Sequence, residues 1–438
     1  MTTRAIAAGI LVLSAVVAWL TISVPLAARI MQLAIVGSML YVAYLAWHGA
    51  RGIRDAYRDA AAAVPSATDV RTVEAVEPIS LVVPARNEAT VIAGAVASIR
   101  ALARADWELL VVDDGSDDAT GDRATAAAAA DPRVRVVRRQ PGDGPRTKGA
   151  ALAFAMEHVS RPVVAALDAD TRLAPDFLDR VLGAWQRDPE AAALQVARRP
   201  RNPRGSWLVA AQGEEQLMDL ASQCGRRAVD GTAELRGNGM FVRRAALDSV
   251  GGWNPGALTE DLDLSTRLSV AGHHVTLAPE ASVDEEAVET LGALWHQRLR
   301  WAEGSLRRLM DHGPGLLLGP QPIGKKLDFL AFTTEFLLPP LFATTIIASL
   351  LTVILPGPSD WTVPISLFLG YGIGVFLLAL GGLWATGERG WPLVGRSVRG
   401  ALFLSHWLVV VPVALTRIAF APRSTGFVQT RRFGGSDE

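Results

Sequence analysis

A single cysteine, Cys224, in 438 residues leaves no room for a disulfide framework or a cysteine-ligated metal centre within the chain. The lone thiol is expected to be buried or idle. Basic excess is also missing. The chain has 43 Lys and Arg against 44 Asp and Glu, a formal net charge of −1, whereas a nucleic-acid binder would show a basic surplus or stripe. Charge of either sign is sparse at 20%, and the mean hydropathy of +0.24 leans toward a membrane protein. No internal repeat and no low-complexity tract is visible. His273-His274 have no matching ligand set elsewhere and read as structural. The length accommodates a sizeable soluble domain plus several membrane spans.

Two long apolar stretches open the chain, about Ala5–Val24 and Ile30–Trp47. Each approaches the roughly 20 residues that cross the hydrocarbon core as a helix. A cleavable signal peptide is disfavoured, because the first run is long and a second follows almost at once. Only Arg29 lies between them, whereas Arg51, Arg54 and Arg58 follow the second. The positive-inside bias therefore puts the N-terminus and the residues after 48 in the cytoplasm. Further apolar stretches lie at about Leu327–Leu355, Thr362–Leu383 and Ala401–Thr416, and the only acids in them are Asp328 and Glu335. The uncharged-to-acidic loop Pro356–Trp361 carries no Lys or Arg and is expected outside. Arg389, Arg396 and Arg399 mark the next link as cytoplasmic. Five full spans would place the tail with Arg423, Arg431 and Arg432 outside. Pro412 in a short last run, or Pro339-Pro340 in the long one, offers an alternative, and the basic tail favours a cytoplasmic C-terminus.

Residues 78–285 have another character. Short apolar runs alternate with helical patterns, as in an α/β domain. Strands are expected at Ile79–Val83, Glu108–Val112, Val134–Val137 and Pro162–Leu167, and helices at Val91–Arg100, Ala124–Ala130 and Lys148–His158. From about Ala287 to Met310, Leu291, Leu294, Trp295, Leu299 and Leu306 alternate with Arg298, Arg300, Arg307 and Arg308, the composition of a helix at a membrane surface. The divisions are therefore 1–50 for two spans, 78–285 for the soluble domain, 286–325 for the interfacial region, 327–420 for C-terminal spanning or re-entrant helices, and 421–438 for the tail.

Acidic and cationic motifs follow one another in this frame. Ligands of an open α/β sheet bind beyond the C-terminal ends of the strands. Pro84-Ala85-Arg86-Asn87-Glu88 follows the first strand, where a loop offers backbone groups to a base. Asp113-Asp114-Gly115-Ser116 follows the second, where a carboxylate accepts from a uracil N–H or a ribose hydroxyl; the same residues also suit a turn and a helix cap. Asp168-Ala169-Asp170 ends a strand with two carboxylates on one side of extended chain, so both face one cation. Mg²⁺ takes one or two such carboxylates and completes its shell with water and phosphate. Thr259-Glu260-Asp261 opens a helical pattern at Leu262–Ala271. Thr259 suits an N-cap there, and Asp261 suits a base for an acceptor hydroxyl. Gln297-Arg298-Leu299-Arg300-Trp301 brings a guanidinium for a pyrophosphate and an indole for a sugar ring or the headgroup level. Lys148, after the Gly142–Pro145 loop, is a second partner for phosphate charge. In this order the motifs describe a site for a metal-bound nucleotide sugar lying against a bilayer.

These residues resemble the membrane-bound enzymes of glycosyltransferase family 2, the group of the cellulose, chitin and hyaluronan synthases, from Pro84 to Trp301. The resemblance implies a GT-A fold inserted between N- and C-terminal transmembrane helices. It further implies inverting transfer from a UDP-sugar with Mg²⁺ or Mn²⁺. It assigns Ala85, Asn87, Glu88, Asp113, Asp114, Lys148, Asp168 and Arg300 to the nucleotide sugar, Asp168 and Asp170 to the metal, and Asp261 to the base. Gly237, Asn238, Glu260, Gln297 and Trp301 would close over donor and acceptor. Gly237-Asn238-Gly239 departs from the commoner aromatic-rich version of that triplet. Arg300-Trp301-Ala302-Glu303-Gly304, Leu327–Pro340 and Ser405–Val410 are similar to the bacterial β-monoglucosyldiacylglycerol synthases, as is Phe427-Val428-Gln429-Thr430-Arg431, with Gln429 where lysine is usual. The expectation is a multi-pass membrane enzyme with a cytoplasmic catalytic domain that moves a hexose, glucose first, to a lipid hydroxyl in β configuration. A polysaccharide acceptor is the alternative, and an inactive membrane scaffold is the reading from another class. The sugar and any partner subunit stay open.

Overall fold

The computed structural model describes residues 3–62, 77–140, 142–202, 206–354 and 365–421. The loop Pro356–Trp361, the Phe427–Arg431 motif and the tail arginines lie outside the described residues. Strands β1 (Ile79–Ala85), β2 (Trp107–Asp113), β3 (Val134–Arg138), β4 (Val163–Ala166), β5 (Ala193–Pro200), β6 (Met240–Arg243) and β7 (Val275–Glu285) form one sheet in the order β3-β2-β1-β4-β6-β5-β7. β6 is antiparallel to β4 and β5, and the other pairs are parallel. The strands are continuous apolar runs because both faces are covered. Leu81 and Val83 of β1 enter one core and Val82 the other, as alternation along a strand requires.

Helices α3 (Ile92–Arg100), α4 (Thr120–Ala128) and α6 (Phe177–Arg187) cover the first face through Val96, Ala124 and Val181. The second face is covered by α5 (Lys148–Ala155), α8 (Arg244–Ser249) and α9 (Glu260–Val270) through Leu152, Leu247 and Leu264. The helix expected to run to Ala130 stops at Ala128, because Ala129 and Ala130 take left-handed φ values of 45° and 59°. Between β1 and β4 the chain order reverses, since β2 and β3 lie to one side of β1 and β4 to the other. A crevice opens at the carboxyl ends there, which is where the motifs sit.

The apolar runs form long helices. α1 spans Thr3–Ser23 and α2 Pro25–Ala62, followed late in the chain by α11 (Ile323–Ile354), α12 (Ile365–Ala385), α13 (Gly390–Leu404) and α14 (Trp407–Phe420). Among the described residues, Thr3–Ser23, Pro25–Ala61, Ile323–Leu351 and Gly390–Phe420 are long and apolar enough to cross a membrane, and Leu369–Ala385 is a shorter apolar helix. Leu13, Leu26, Leu33 and Leu40 on the first two are exposed, as lipid-facing side chains would be. Pro339 and Pro340 do not divide the third apolar run; α11 continues through both.

Two further helices join these to the domain. α7 (Trp207–Ala228) crosses beneath α2, and α10 (Leu291–Leu318) links the domain to the late helices. α2 has 38 residues, about 57 Å at 1.5 Å per residue, and its far end passes beyond a bilayer core to bury Ala50 and Ile53 against Leu220 and Ala221 of α7. The α2–α7 crossing needs glycine on both sides. A Cβ on Gly49 would stand 1.9 Å from the Ala221 carbonyl oxygen, and one on Gly225 2.4 Å from that of Leu45. α10 begins later than the pattern suggests, because Thr290 caps it by accepting from the Ala293 N–H at 3.2 Å. Its Leu299, Ala302 and Leu306 pack on Ala7 of α1 and Val410 and Ala414 of α14.

Candidate active site

One cavity of about 1110 Å³ begins at the crevice and extends to the membrane helices. Ala85 at the end of β1, Glu88 from the loop after it, Asp114 after β2, and Asp168 and Asp170 after β4 all line it. Register explains the first grouping: Ala85 pairs with Asp113, and the Asp114 N–H donates to the Ala85 carbonyl at 2.8 Å. Asp114 faces the cavity between two guanidiniums, with Arg146 at 3.0 Å and Arg139 at 2.5 Å. Asp113 does not face it. Its carboxylate turns inward to accept from the Ser116 N–H at 2.9 Å, so it closes the turn that presents Asp114. Asn87 is likewise committed to the loop, at φ 55° with its side-chain oxygen accepting from the Asp117 N–H.

Lys148 is the centre of the site. The Thr147 hydroxyl caps α5 on the Ala150 N–H, fixing Lys148 at the first helical position. Its ammonium donates to Asp168 and to the Gly237 carbonyl, each at 2.5 Å, and lies 3.4 Å from Glu260. Burial would lower the Lys148 pKa, but Asp168 and Glu260 outweigh it and hold the amine well above its usual range. Glu260 is raised, by desolvation first and by the neighbouring Asp261, against the pull of Lys148. Gly237 has φ +81°, and a Cβ there would stand 3.2 Å from an Asp261 carboxylate oxygen, so glycine lets the bend before β6 approach the head of α9. Thr259 occupies the N-cap of α9 without a side-chain capping bond, which leaves the helix start with Glu260, Asp261 and Asp263 in its first turn.

Asn238, expected at the closure, is instead a buried brace. Its side-chain oxygen accepts from the Asp168 N–H and the Thr171 hydroxyl, both at 3.0 Å, and its amide donates to Glu285 at 2.8 Å. Asp170 accepts from the Glu286 N–H at 2.8 Å. Asp168 and Asp170 thus present two carboxylates one residue apart to a cavity, a donor set that suits a hard divalent cation completed by phosphate oxygens. Gln297, Arg300 and Trp301 line the same cavity from α10. Arg298 lines it too, but its guanidinium is buried against Glu215 and Gln297 and lies 4.1 Å from the Trp301 ring centre, fixing the indole from one side. Burial is also what pushes its pKa down.

The sequence reading passed over α7. Gln212, Glu215, Gln216, Asp219, Gln223 and Arg226 line the cavity at helical spacings of three and four. That polar stripe was the available signal. Cys224 on the same helix is free and buried, and desolvation pushes its pKa up to about 12.

The sequence model of the family described as "Glycosyltransferase like family 2" matches residues 77–304. The β-monoglucosyldiacylglycerol synthase of Synechocystis sp. is 34% identical over 364 residues, 80% of this chain and 74% of that protein. The poly-β-1,6-N-acetyl-D-glucosamine synthase of Staphylococcus aureus is 28% identical over 239 residues, 53% of this chain and 55% of that one. Among solved structures, a mannosyltransferase from Pyrobaculum calidifontis in complex with GDP-Man and Mn²⁺ superposes with a TM-score of 0.58 at 18% identity, covering 90% of this chain and 99% of the other. That likeness supports the GT-A-like fold and no more.

Proposed function

The chain belongs to the glycosyltransferase-like family 2, and on that premise we propose that it transfers glucose from UDP-glucose to the hydroxyl of a membrane lipid such as diacylglycerol, forming a β-glycosidic bond. The observation that carries the acceptor half is the cavity itself, continuous from the strand ends to faces of α2, α11 and α12. An acceptor that never leaves the bilayer needs such a path. The apolar helices and the arginines after residue 48 support a multi-pass enzyme with its catalytic domain on the cytoplasmic side.

In this reading the nucleotide lies over Ala85, Glu88 and Asp114. Lys148 and Arg300 face the diphosphate, where their charge offsets that of the leaving UDP. Asp168 and Asp170 would hold Mg²⁺ or Mn²⁺, which when bound neutralises charge on the departing diphosphate. Asp261, at the head of α9 beside Gly237, takes the proton of the acceptor hydroxyl. The freed oxygen attacks the anomeric carbon from the face opposite UDP, the new C–O bond forms as the sugar–phosphate bond breaks, and configuration inverts. Glu260, tied to Lys148, holds the ammonium in place between Asp168 and the Gly237 carbonyl. Trp301, braced by Arg298, closes the acceptor side.

The test is incubation of the purified protein with radiolabelled UDP-glucose, Mg²⁺ and dioleoylglycerol, followed by organic extraction. Label in the organic phase, released by a β-glucosidase, is the expected result. Label confined to alcohol-insoluble polymer would overturn the lipid acceptor.

A further inference from the structure

Beyond the strand ends the cavity continues between two sets of helices. α2 packs along α12 and α7, whereas α1 packs along α11 and α14. The two sets are bridged by the Tyr41 hydroxyl donating to Asp328 at 2.5 Å and by the Phe342 and Tyr371 rings with centres 5.2 Å apart. On α11, Asp328, Phe332, Glu335, Pro339 and Phe342 recur at spacings of three and four, so a single stripe of that helix faces the opening. Glu335 sits at its middle, seven residues or about 10 Å from either bridge.

Three arginines at the top of this opening already have acids. Arg226 pairs with Asp328, Arg236 with Asp219 and Arg308 with Glu234. Glu335 is the acid left over. Among the described residues it makes no ion pair or hydrogen bond, although Arg226 and Arg236 lie within electrostatic reach. Tyr41 and Tyr371 line the same opening. A carboxyl on a membrane-spanning face is costly, and such groups face cavities and mark the path of a polar ligand. The backbone adds a second acceptor there. Pro339 has no N–H, so the carbonyl of Glu335 lacks its usual helical donor.

Resting on the lipid-acceptor reading above, we infer that Glu335, with the hydroxyls of Tyr41 and Tyr371, forms an acceptor subsite within the membrane cleft. It receives the free hydroxyl and glycerol oxygens of an uncharged two-chain lipid on entry, before that hydroxyl moves on to Asp261, and disfavours anionic headgroups. The carboxyl or the freed carbonyl accepts from the one lipid hydroxyl, while the half-buried Phe336 and Leu338, which also line the cleft, offer apolar surface for acyl chains. A phosphate group in the same place would meet a carboxyl whose neighbouring arginines are already paired, and in low dielectric that repulsion is weakly screened. Glu335 is a positioning residue, remote from the bond that forms.

The experiment uses the full-length protein in mixed micelles, with UDP-glucose as donor, dioleoylglycerol as acceptor and dioleoylphosphatidylglycerol as competitor. Glu335→Gln is expected to raise the KM for dioleoylglycerol about tenfold, the loss of one charge-assisted hydrogen bond. The KM for UDP-glucose should stay at the wild-type value, which also shows an intact domain. Glu335→Lys is expected to turn phosphatidylglycerol from a weak into a strong inhibitor. If Glu335→Gln keeps the wild-type acceptor KM and the same weak inhibition, the subsite is wrong while the lipid reading stands. If the wild type itself gives no extractable product, the lipid reading falls and the subsite with it.

Discussion

Asp261 and Lys148 share one site, and the proposed reaction gives them separable tasks. Asp261 lies beside Gly237, and Lys148 lies on Asp168. Replacing Asp261 by Asn keeps shape and removes the proposed base, so turnover should fall by roughly 10²–10⁴ while donor binding holds. Calorimetric titration with UDP beside a product assay checks this; full turnover in the variant would remove Asp261 from the role. The neighbouring residues show why single motifs mislead. Asp113 and Asp114 are adjacent acids with opposite fates, one folded into its own turn and one presented to the cavity between Arg139 and Arg146. A turn residue and a ligand residue are written the same way, and only the direction of the carboxylate separates them.

At the level of helices, α7 joins the two halves of the molecule. It crosses α2 at Gly49 and Gly225, lines the cavity with its polar stripe and buries Arg226 against Asp328 of α11. Gly225→Val would drive a side chain into the Leu45 carbonyl and force the helices apart, a change expected to cost at least 1–3 kcal/mol by overpacking. Its signature would be a lower unfolding temperature with weakened acceptor use in the surviving folded fraction; an unchanged unfolding temperature would mean that the crossing is loose. Strands β1 to β4 and helices α3, α4, α5 and α9 were legible from local pattern, since β-branched runs and apolar periodicity belong to the segments themselves, whereas β5 to β7 and α6 to α8 were not picked out. The start of α10 was not, because Thr290 and the end of β7 set it together.

Across the whole molecule, buried ion pairs tie the membrane helices to the catalytic domain. Glu234 is the acid at the junction, paired with Arg308 at 2.5 Å and Arg236 at 2.8 Å. Burial alone would raise its pKa, but Arg308, Arg236 and Arg226 override it and hold the value near 2, against 4.5 for a free glutamate. A depressed folded-state value means that Glu234 stabilises the fold fully above about pH 4.5 and loses that contribution as pH falls toward 2. Unfolding temperatures in detergent should therefore drop steeply over that range. Glu234→Gln should be less stable at pH 7 and lose less on acidification; equal pH slopes in the two proteins would show that Glu234 does not carry the effect.

The apolar runs, the strand ends and the order of the acidic motifs are properties of neighbouring residues, and reading them along the chain was enough to reach a nucleotide-sugar site beside a membrane. The assembly of that site was not a local matter. Lys148 meets the Gly237 carbonyl across 89 residues, Asn238 supports the Asp168 backbone from across the sheet, and Tyr41 reaches Asp328 between the first and second halves of the membrane region. Glu335 could be read in the sequence as an acid within an apolar run, yet nothing in that run says which way it points. The packing of α2 on α12 and of α1 on α11 leaves an opening along one face of α11, and helical periodicity then carries Glu335 into it.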